Sequence, residues 1–489
     1  MFPTEKDRAL RVWATLAVVA LLALTSCRRR SREEVSLPPA RQTERTGAVL
    51  SYADVVNSVA PAVVTIRSQR VVRAPRQFPF FNDPLFREFF GDRYGQPEPP
   101  RQQIQRGLGS GVIITKDGYL LTNHHVIDGA EEIRVEMANN RGYNAKVIGD
   151  DPRSDLAVLK IDGNDLPMLT LGNSDQVRVG DVALAVGNPL GIGQTVTAGI
   201  ISAKGRSTGL SDGSFESFLQ TDAPINQGNS GGALVSTAGE LVGINSQIVS
   251  PTGGNIGIGF AIPANMARSV AEQLIKNGKV RRGHLGVGVQ TVTSDIAANL
   301  GLKDVSGVIV SAVEQGSPAE RAGLKQGDVI TVINGVQIEN DNSLRNLVAS
   351  AGPGAEVAIT ILRDGREQQL RAKLDELANQ IPTRPAEPNG GQNYEGRLGW
   401  NVTPLTPELA ERLGLSRNAH GLVIKDVDPA GAAAEAGLQP GDVIEQVNRQ
   451  PVRSEGDLKS ALSRAESQPL LLLINRRGAS AYLTVRQNR

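Results

Sequence analysis

Gln220-Thr-Asp-Ala-Pro-Ile-Asn-Gln-Gly-Asn-Ser-Gly-Gly-Ala-Leu234 is the stretch on which the reading of the fold turns. Ser230 stands between Gly228-Asn229 and Gly231-Gly232, and an apolar, strand-like run begins at Ala233. Glycines on both sides let the backbone turn sharply, which leaves a hydroxyl exposed and nearby N–H groups free to face a ligand. A serine hydroxyl is a weak nucleophile by itself, so a base and a group that orients it must come from elsewhere in the chain. The residues after the serine decide between two architectures. Gly228-x-Ser230-x-Gly232 fits a nucleophile elbow, in which a helix succeeds the serine and the histidine comes last in the chain. Here Ala233-Leu-Val-Ser, Thr237-Ala-Gly-Glu and Leu241-Val-Gly-Ile-Asn read as strand, turn and strand, so the elbow is excluded.

The search for a base is short, because the chain has four histidines: His124, His125, His284 and His420. Val112-Ile-Ile-Thr and Tyr119-Leu-Leu-Thr read as a hairpin around Asp117-Gly118 that leads into Thr122-Asn-His-His-Val126. Adjacent strand residues point to opposite faces, so the two histidines do not form a metal chelate. A single imidazole, titrating near neutrality, is the natural proton shuttle. Asp155 closes Asp151-Pro-Arg-Ser-Asp155 and opens the run Leu156-Ala-Val-Leu-Lys-Ile161. Alone, a carboxylate at a strand entrance is most simply a turn residue. Together, His125, Asp155 and Ser230 have the chain order of chymotrypsin-like proteases. Gly107-Leu-Gly-Ser-Gly111 lacks the third glycine of a dinucleotide loop, and a hairpin comes after it where a helix would be needed.

Composition sets the outer limits. The 489 residues suffice for about three domains. The 53 glycines, against 6 tyrosines and 2 tryptophans, suit many short strands joined by tight turns. A net charge of +1 gives no electrostatic case for nucleic acid. One cysteine excludes an intramolecular disulfide, no Cys/His cluster offers a metal site, and no cofactor is called for.

Residues 1–27 have the form of a signal peptide, with Lys6, Arg8 and Arg11 ahead of an apolar run from Val12 to Leu24. That run is shorter than the about 20 residues a membrane span needs. It ends in Leu24-Thr-Ser-Cys27, which resembles a bacterial lipobox whose cysteine becomes the lipidated first residue. An uncleaved anchor and a buried helix are the alternatives. Arg28, Arg29, Arg30 and Arg32 oppose translocation, or lie on anionic lipid. Residues 28–50 read as a tether. Val55-Val56 and Ala62-Val-Val-Thr-Ile66 then suggest a first strand. From 73 to 106 the pattern breaks, and six of the chain's ten phenylalanines fall between Phe78 and Phe90. At a few kcal/mol each, roughly, such side chains are too costly to leave in water, so an interaction loop is expected ahead of a satellite core patch.

Gly107-Leu-Gly-Ser-Gly-Val-Ile-Ile114, Leu121-Thr-Asn-His-His-Val126, Ser154-Asp-Leu-Ala-Val158, Gly228-Asn-Ser-Gly-Gly-Ala-Leu234 and Asn255-Ile-Gly-Ile-Gly-Phe-Ala-Ile-Pro263 together resemble the HtrA/DegP ("Do") serine proteases. The resemblance implies a mainly β fold: a chymotrypsin-like double β-barrel over residues 51–278, with the triad between the barrels, and then two PDZ domains of small α+β type. It implies Ser230 as nucleophile and His125 as general base, with His124 a bland neighbour. Asp155 would hold the tautomer of His125, and the N–H groups of Gly228 and Ser230 would form an oxyanion hole. The residue six before the nucleophile, at the base of the specificity pocket in such enzymes, is Pro224, with Ile225 next. No carboxylate is there to meet a basic side chain, so small or medium apolar residues are favoured before the cut. Ile201-Ser-Ala-Lys-Gly-Arg206 resembles the family's sensor loop, which makes Arg206 a regulatory candidate.

An internal repeat fills the rest. Ala322-Gly-Leu-Lys-Gln-Gly-Asp-Val-Ile330 recurs as Ala436-Gly-Leu-Gln-Pro-Gly-Asp-Val-Ile444, each with a helical pattern after it, at Ser343 to Ser350 and Asp457 to Ser463. The copies, 283–375 and 397–489, resemble PDZ domains, and the Pro/Gly/Asn-rich stretch 376–396 is the linker between them. PDZ domains add a peptide strand to a sheet edge and hold its carboxylate on backbone N–H groups. By resemblance, Leu285-Gly286-Val287 and Leu398-Gly399-Trp400 are the carboxylate loops. Trp400 departs from the usual small aliphatic residue, which leaves an assembly contact as its alternative role. The expectation is a periplasmic or envelope serine endopeptidase, tethered through Cys27, working as a homotrimer or a multiple of it on unfolded protein substrates. A holdase or scaffold, with proteolysis incidental, shares every binding feature and is the second reading.

Overall fold

The computed structural model describes residues 51–73, 102–188, 193–208, 214–226, 228–248, 255–302, 305–378, 398–464 and 469–486. The segment ending at Cys27, the tether, most of the phenylalanine-rich loop and most of the linker lie outside the described residues.

Helix α1 (Ala53–Val59) opens the described chain and passes through a 3-10 turn at Ala60–Ala62. Val55 and Val56, expected in a strand, therefore lie in a helix. They lie four and three positions before Val59, on its helical face, and pack with it on the seam between the barrels described below. Six strands close the first barrel: β1 (Val63–Arg73), β2 (Gln102–Ile113), β3 (Tyr119–Thr122), β4 (Glu132–Glu136), β5 (Gly142–Asp151) and β6 (Leu156–Ile161). Their order around it is β1-β2-β3-β6-β5-β4. Pairing of β1 with β2 runs out to Arg73↔Gln102, so the expected loop loses residues 102–106 to the hairpin. The second barrel takes β7 (Val182–Gly187), β8 (Thr195–Arg206), β9 (Phe218–Thr221), β10 (Ala233–Ser236), β11 (Leu241–Ile248) and β12 (Gly259–Pro263), in the order β10-β11-β12-β9-β8-β7. Closure leaves no unpaired sheet edge in either.

Each barrel has its own apolar filling: Ile66, Leu120, Val135 and Leu159 in the first, Ile201, Leu219, Leu234 and Val242 in the second. On β4, Ile133 and Val135 point inward while Glu132 and Arg134 face water, the period-2 pattern of a half-buried strand. A third core joins the barrels. Val112, Leu121, Leu156 and Val158 meet Leu184, Val186, Ala233 and Ile244 there. Helix α3 (Ala264–Asn277, α2 being the short helix at the site below) covers it with Ala267, Val270, Ala271 and Leu274. These fall on one face, at i, i+3, i+4 and i+7. At about 1.5–3 kcal/mol for each large side chain buried, this seam fixes the two barrels against each other.

In the first PDZ copy, β13 (Gly283–His284) pairs with β20 (Asp375–Glu376), and β14 (Val287–Thr291), β15 (Val308–Val313), β16 (Val329–Ile333), β18 (Glu356–Arg363) and β19 (Arg366–Lys373) form a sheet in that order. β17 (Val336–Gln337) pairs with β16, and helix α4 (Asp341–Ala351) starts from a capping box made by Asn340 and Ser343. The second copy repeats this with β21 (Trp400–Pro404), β22 (Leu422–Val427), β23 (Val443–Val447), β25 (Leu470–Arg476) and β26 (Ala479–Val485), β24 (Gln450–Pro451) on β23, and helix α5 (Glu455–Arg464). Both β14 and β21 are sheet edges. The two sheets meet outer face to outer face, Ile309 and Val329 against Leu471, Leu473 and Tyr482. The Gln290 side-chain amide exchanges two 3.0 Å hydrogen bonds with the Tyr482 backbone. Burial there pushes the Tyr482 phenol up to about 12.

Candidate active site

The first barrel contributes two of the three candidate residues. His125 lies in α2 (His124–Ile127), a single helical turn after β3, and not in a strand as the sequence suggested. Alternation therefore does not separate the two rings; the helical rotation of about 100° per residue does. His124 Nδ1 lies 2.7 Å from Asp150 Oδ2, out of line for a hydrogen bond. His125 Nδ1 lies 2.9 Å from each carboxylate oxygen of Asp155. Asp155 occupies the turn before β6 at φ 54°, a left-handed conformation that aspartate tolerates better than most residues. The turn is held on both sides. Its carbonyl accepts hydrogen bonds from Asn123 Nδ2 at 2.9 Å and from the His124 N–H at 3.2 Å. Its carboxylate also accepts the His125 N–H at 3.1 Å.

Ser230 comes from the second barrel, in the turn before β10. Gly228 (φ 98°) and Gly231 (φ 82°) both take backbone conformations that disfavour a side chain. A Cβ on Gly231 would stand 2.1 Å from the Ser110 carbonyl oxygen. Among the described residues, the N–H groups of Gly228 and Ser230 meet no acceptor, whereas Gly231 and Gly232 donate to Asn245 and Asn229. His125, Asp155 and Ser230 line one cleft of about 610 Å³ between the barrels, with Phe215, Phe218, Ile225 and Ile248 as its apolar walls. Of the two residues expected at the base of a specificity pocket, Ile225 is in that wall. Pro224 is exposed outside the lining, and its carbonyl accepts from Thr197. Arg206 ends β8, exposed, and its side chain makes no hydrogen bond or ion pair with any described residue.

Two serines that sequence reasoning left without a role complete the arrangement. Ser246, on β11, donates its hydroxyl to Asp155 Oδ2 at 2.8 Å, and its carbonyl accepts the Ser230 hydroxyl at 2.9 Å. It is 2% exposed. Ser110, on β2, sends its N–H to the Ser230 carbonyl at 2.8 Å and its hydroxyl to the Gly228 carbonyl at 2.6 Å. A strand of the first barrel thus grips the serine turn of the second. For Ser110 the signal was present, a small polar residue between two glycines; for Ser246 it was the polar run Asn245-Ser246-Gln247 interrupting an apolar strand. Ser246→Ala is expected to lower kcat on a peptide substrate roughly ten- to a hundredfold with KM unchanged, the size of a lost hydrogen bond to a charged group. Unchanged kcat would deny Ser246 a part in holding Asp155.

The first PDZ copy reaches this cleft by two contacts. Arg282, just ahead of β13, pairs with Asp151 at 2.9 Å and stacks 4.4 Å over the Phe215 ring. Asn342 and Asn346 on α4 each donate to the Glu216 carbonyl at 2.7 Å. Burial pushes the Glu216 carboxyl up, but hydrogen bonds from Ser207, from the Thr208 amide and hydroxyl and from Ser214 outweigh it and hold it below the usual carboxylate range. In the carboxylate loops, Gly286 (φ 78°) and Gly399 (φ 70°) make the same turn, and Leu285 and Leu398 are buried. Val287 is half-buried, whereas Trp400 is 6% exposed inside the second copy's core. An assembly contact through the Trp400 ring is thereby corrected: the ring is spent on its own domain.

Known proteins agree with this architecture. The trypsin-like peptidase domain family matches residues 109–244, and PDZ domain families match 283–374 and 423–476. Fold and site together define a serine endopeptidase of the trypsin-like class carrying two PDZ domains. A probable periplasmic serine endoprotease, DegP-like, from Chlamydia muridarum (strain MoPn / Nigg) is 44% identical over 398 residues, covering 81% of this chain and 78% of that protein. A probable periplasmic serine protease, do/HhoA-like, from Haemophilus influenzae is 39% identical over 449 residues, covering 89% and 91%. Among solved structures, the HtrA-type protease AlgW with decapeptide is 46% identical with a TM-score of 0.54, covering 68% of this chain and all of that one. The chain belongs to the DegP-like, HtrA-type family of periplasmic serine endoproteases.

Proposed function

We propose that this protease cleaves unfolded or misfolded envelope proteins through an acyl-enzyme on Ser230. The observation that carries the reading is the His125–Asp155 contact beside Ser230 in a cleft with apolar walls. For attack, the Ser230 hydroxyl turns from the Ser246 carbonyl to His125, which takes its proton as the Oγ–carbonyl bond forms. Asp155 keeps the Nδ1 proton in place and stabilises the imidazolium. The oxyanion that develops meets the N–H groups of Gly228 and Ser230, a kind of contact worth on the order of 3 kcal/mol per donor. His125 then gives its proton to the leaving amine, and water repeats the sequence to free the acid.

Ile225 and the phenylalanines favour small or medium apolar side chains before the cut. They also favour chains that present such residues outside a core. The first PDZ copy holds the substrate's C-terminus through Leu285-Gly286-Val287, which raises the effective concentration of the same chain at the cleft. Loading of that copy is relayed through Arg282 and α4, and Arg206 keeps its regulatory role as the sensor-loop arginine that engages the loop ahead of Ser230. The working unit is a homotrimer or a multiple of it. Cys27 carries the lipid that ties the unit to the envelope membrane, so Cys27→Ala is expected to move the protein from the membrane to the soluble fraction; retention on membranes would reject that anchor. The deciding test of the activity is degradation of casein, an unfolded chain, by the wild type and by Ser230→Ala.

A further inference from the structure

The two PDZ copies share one loop geometry but not one groove. Glu314 N–H donates to the Gly286 carbonyl at 3.0 Å, and its counterpart Asp428 N–H donates to the Gly399 carbonyl at 2.7 Å. The backbone that would receive a carboxylate is thus duplicated. A peptide added to the sheet edge inserts alternate side chains between the edge strand and the neighbouring helix. In the first copy the flanking side chains are Val287 of β14 and Leu347 of α4, both only half-buried at the edge of the core. Their counterparts are Trp400 of β21 and Ala461 of α5, by the repeat that sets Leu344 against Leu458. Trp400 is buried to 6% exposure in one cluster with Leu458, and Ala461 and Leu462 pack against that cluster. A large side chain has replaced a small one on the strand, and a small one has replaced a large one on the helix. Such an exchange keeps the packed volume while moving it across the groove.

We propose that Trp400 fills from within the pocket that, in the first copy, takes the ligand's terminal side chain, so that capture of C-terminal carboxylates belongs to the first copy alone. The inference rests on the reading of the first copy as a peptide holder. Because the loop is intact in both copies, the difference lies in one indole ring and is reversible by exchanging the pair.

The test uses the full chain carrying Ser230→Ala, so that no peptide is cut, and a fluorescent decapeptide ending in valine with a free carboxylate; the C-terminal amide is the control. One carboxylate-dependent site per chain is expected, and two after the exchange Trp400→Val with Ala461→Leu. Two sites without the exchange would overturn the inference while leaving the first copy a peptide holder. No site without it but one with it would sink the first copy's role and sustain the self-filled pocket. No site in either would overturn the inference. A second measurement does not depend on the exchanged chain folding. With Trp13→Phe, Trp400 is the sole indole of a chain that has two tryptophans, and its emission should stay constant through the titration. A saturable shift in that emission would show ligand entering beside the ring and defeat the proposal.

Discussion

Ser230→Ala is expected to abolish casein degradation, with kcat falling by about six orders of magnitude, while the chain stays folded and still holds its substrate. The loss is chemical and not structural. The Ser230 hydroxyl makes one hydrogen bond among the described residues, to the Ser246 carbonyl, and the turn around it is fixed by Ser110 and two glycines that the substitution leaves untouched. Alanine removes the only atom that can form the acyl bond, and His125 and Asp155 then have nothing to activate. Digestion monitored over time, beside casein binding by anisotropy, separates the two effects. Equal degradation by both proteins would end the assignment of Ser230. If neither degraded casein yet both kept a denatured client from aggregating, a holdase would be the better description.

Asp155→Asn should lower kcat by about four orders of magnitude with little change in KM, the loss seen when a triad aspartate becomes its amide. The geometry explains so large an effect from so small a change. Three donors converge on the Asp155 carboxylate: the His125 N–H, the His125 ring and the Ser246 hydroxyl. A carboxylate accepts from all three, whereas an amide must turn its own NH2 toward one of them. If that NH2 faces Nδ1, the ring proton moves to Nε2, and the base can no longer receive the Ser230 proton. A loss under tenfold would show that the imidazole is oriented by something other than Asp155.

Much of this organisation was legible in the residues, for reasons that can be named. Strand alternation, turn dipeptides and the strand–turn–strand after Ser230 are local patterns that gave the strands and excluded the elbow, while the double barrel came from the resemblance of the motifs to the HtrA/DegP proteases. The order of His125, Asp155 and Ser230 named the residues that the structure gathers at one cleft. The misreadings had local causes too. Val55 and Val56 looked like a strand because two adjacent valines carry no periodicity until Val59 is counted. The His124-His125 pair was assigned to a strand because a one-turn helix after β3 is too short to show a pattern. Ser246 and Ser110 stood out as polar residues but had no assignable role, because their partners are carbonyls and a carboxylate far along the chain, and the fold alone makes them neighbours. Trp400 was noticed, but whether a tryptophan faces outward or inward depends on the helix opposite it, where Ala461 leaves the room.

The grip of Ser110 on the serine turn joins atoms 118 positions apart in the chain and on different barrels. A contact of such long range carries the cost of closing the intervening loop, which must be met before the contact contributes. Neither barrel can therefore become hazardous ahead of the other. A chain with only its first barrel folded holds His125 and Asp155 without Ser230, and the ability to cut arrives only when the second barrel docks on the first. A destructive enzyme built in this way is kept harmless in its youth by topology itself.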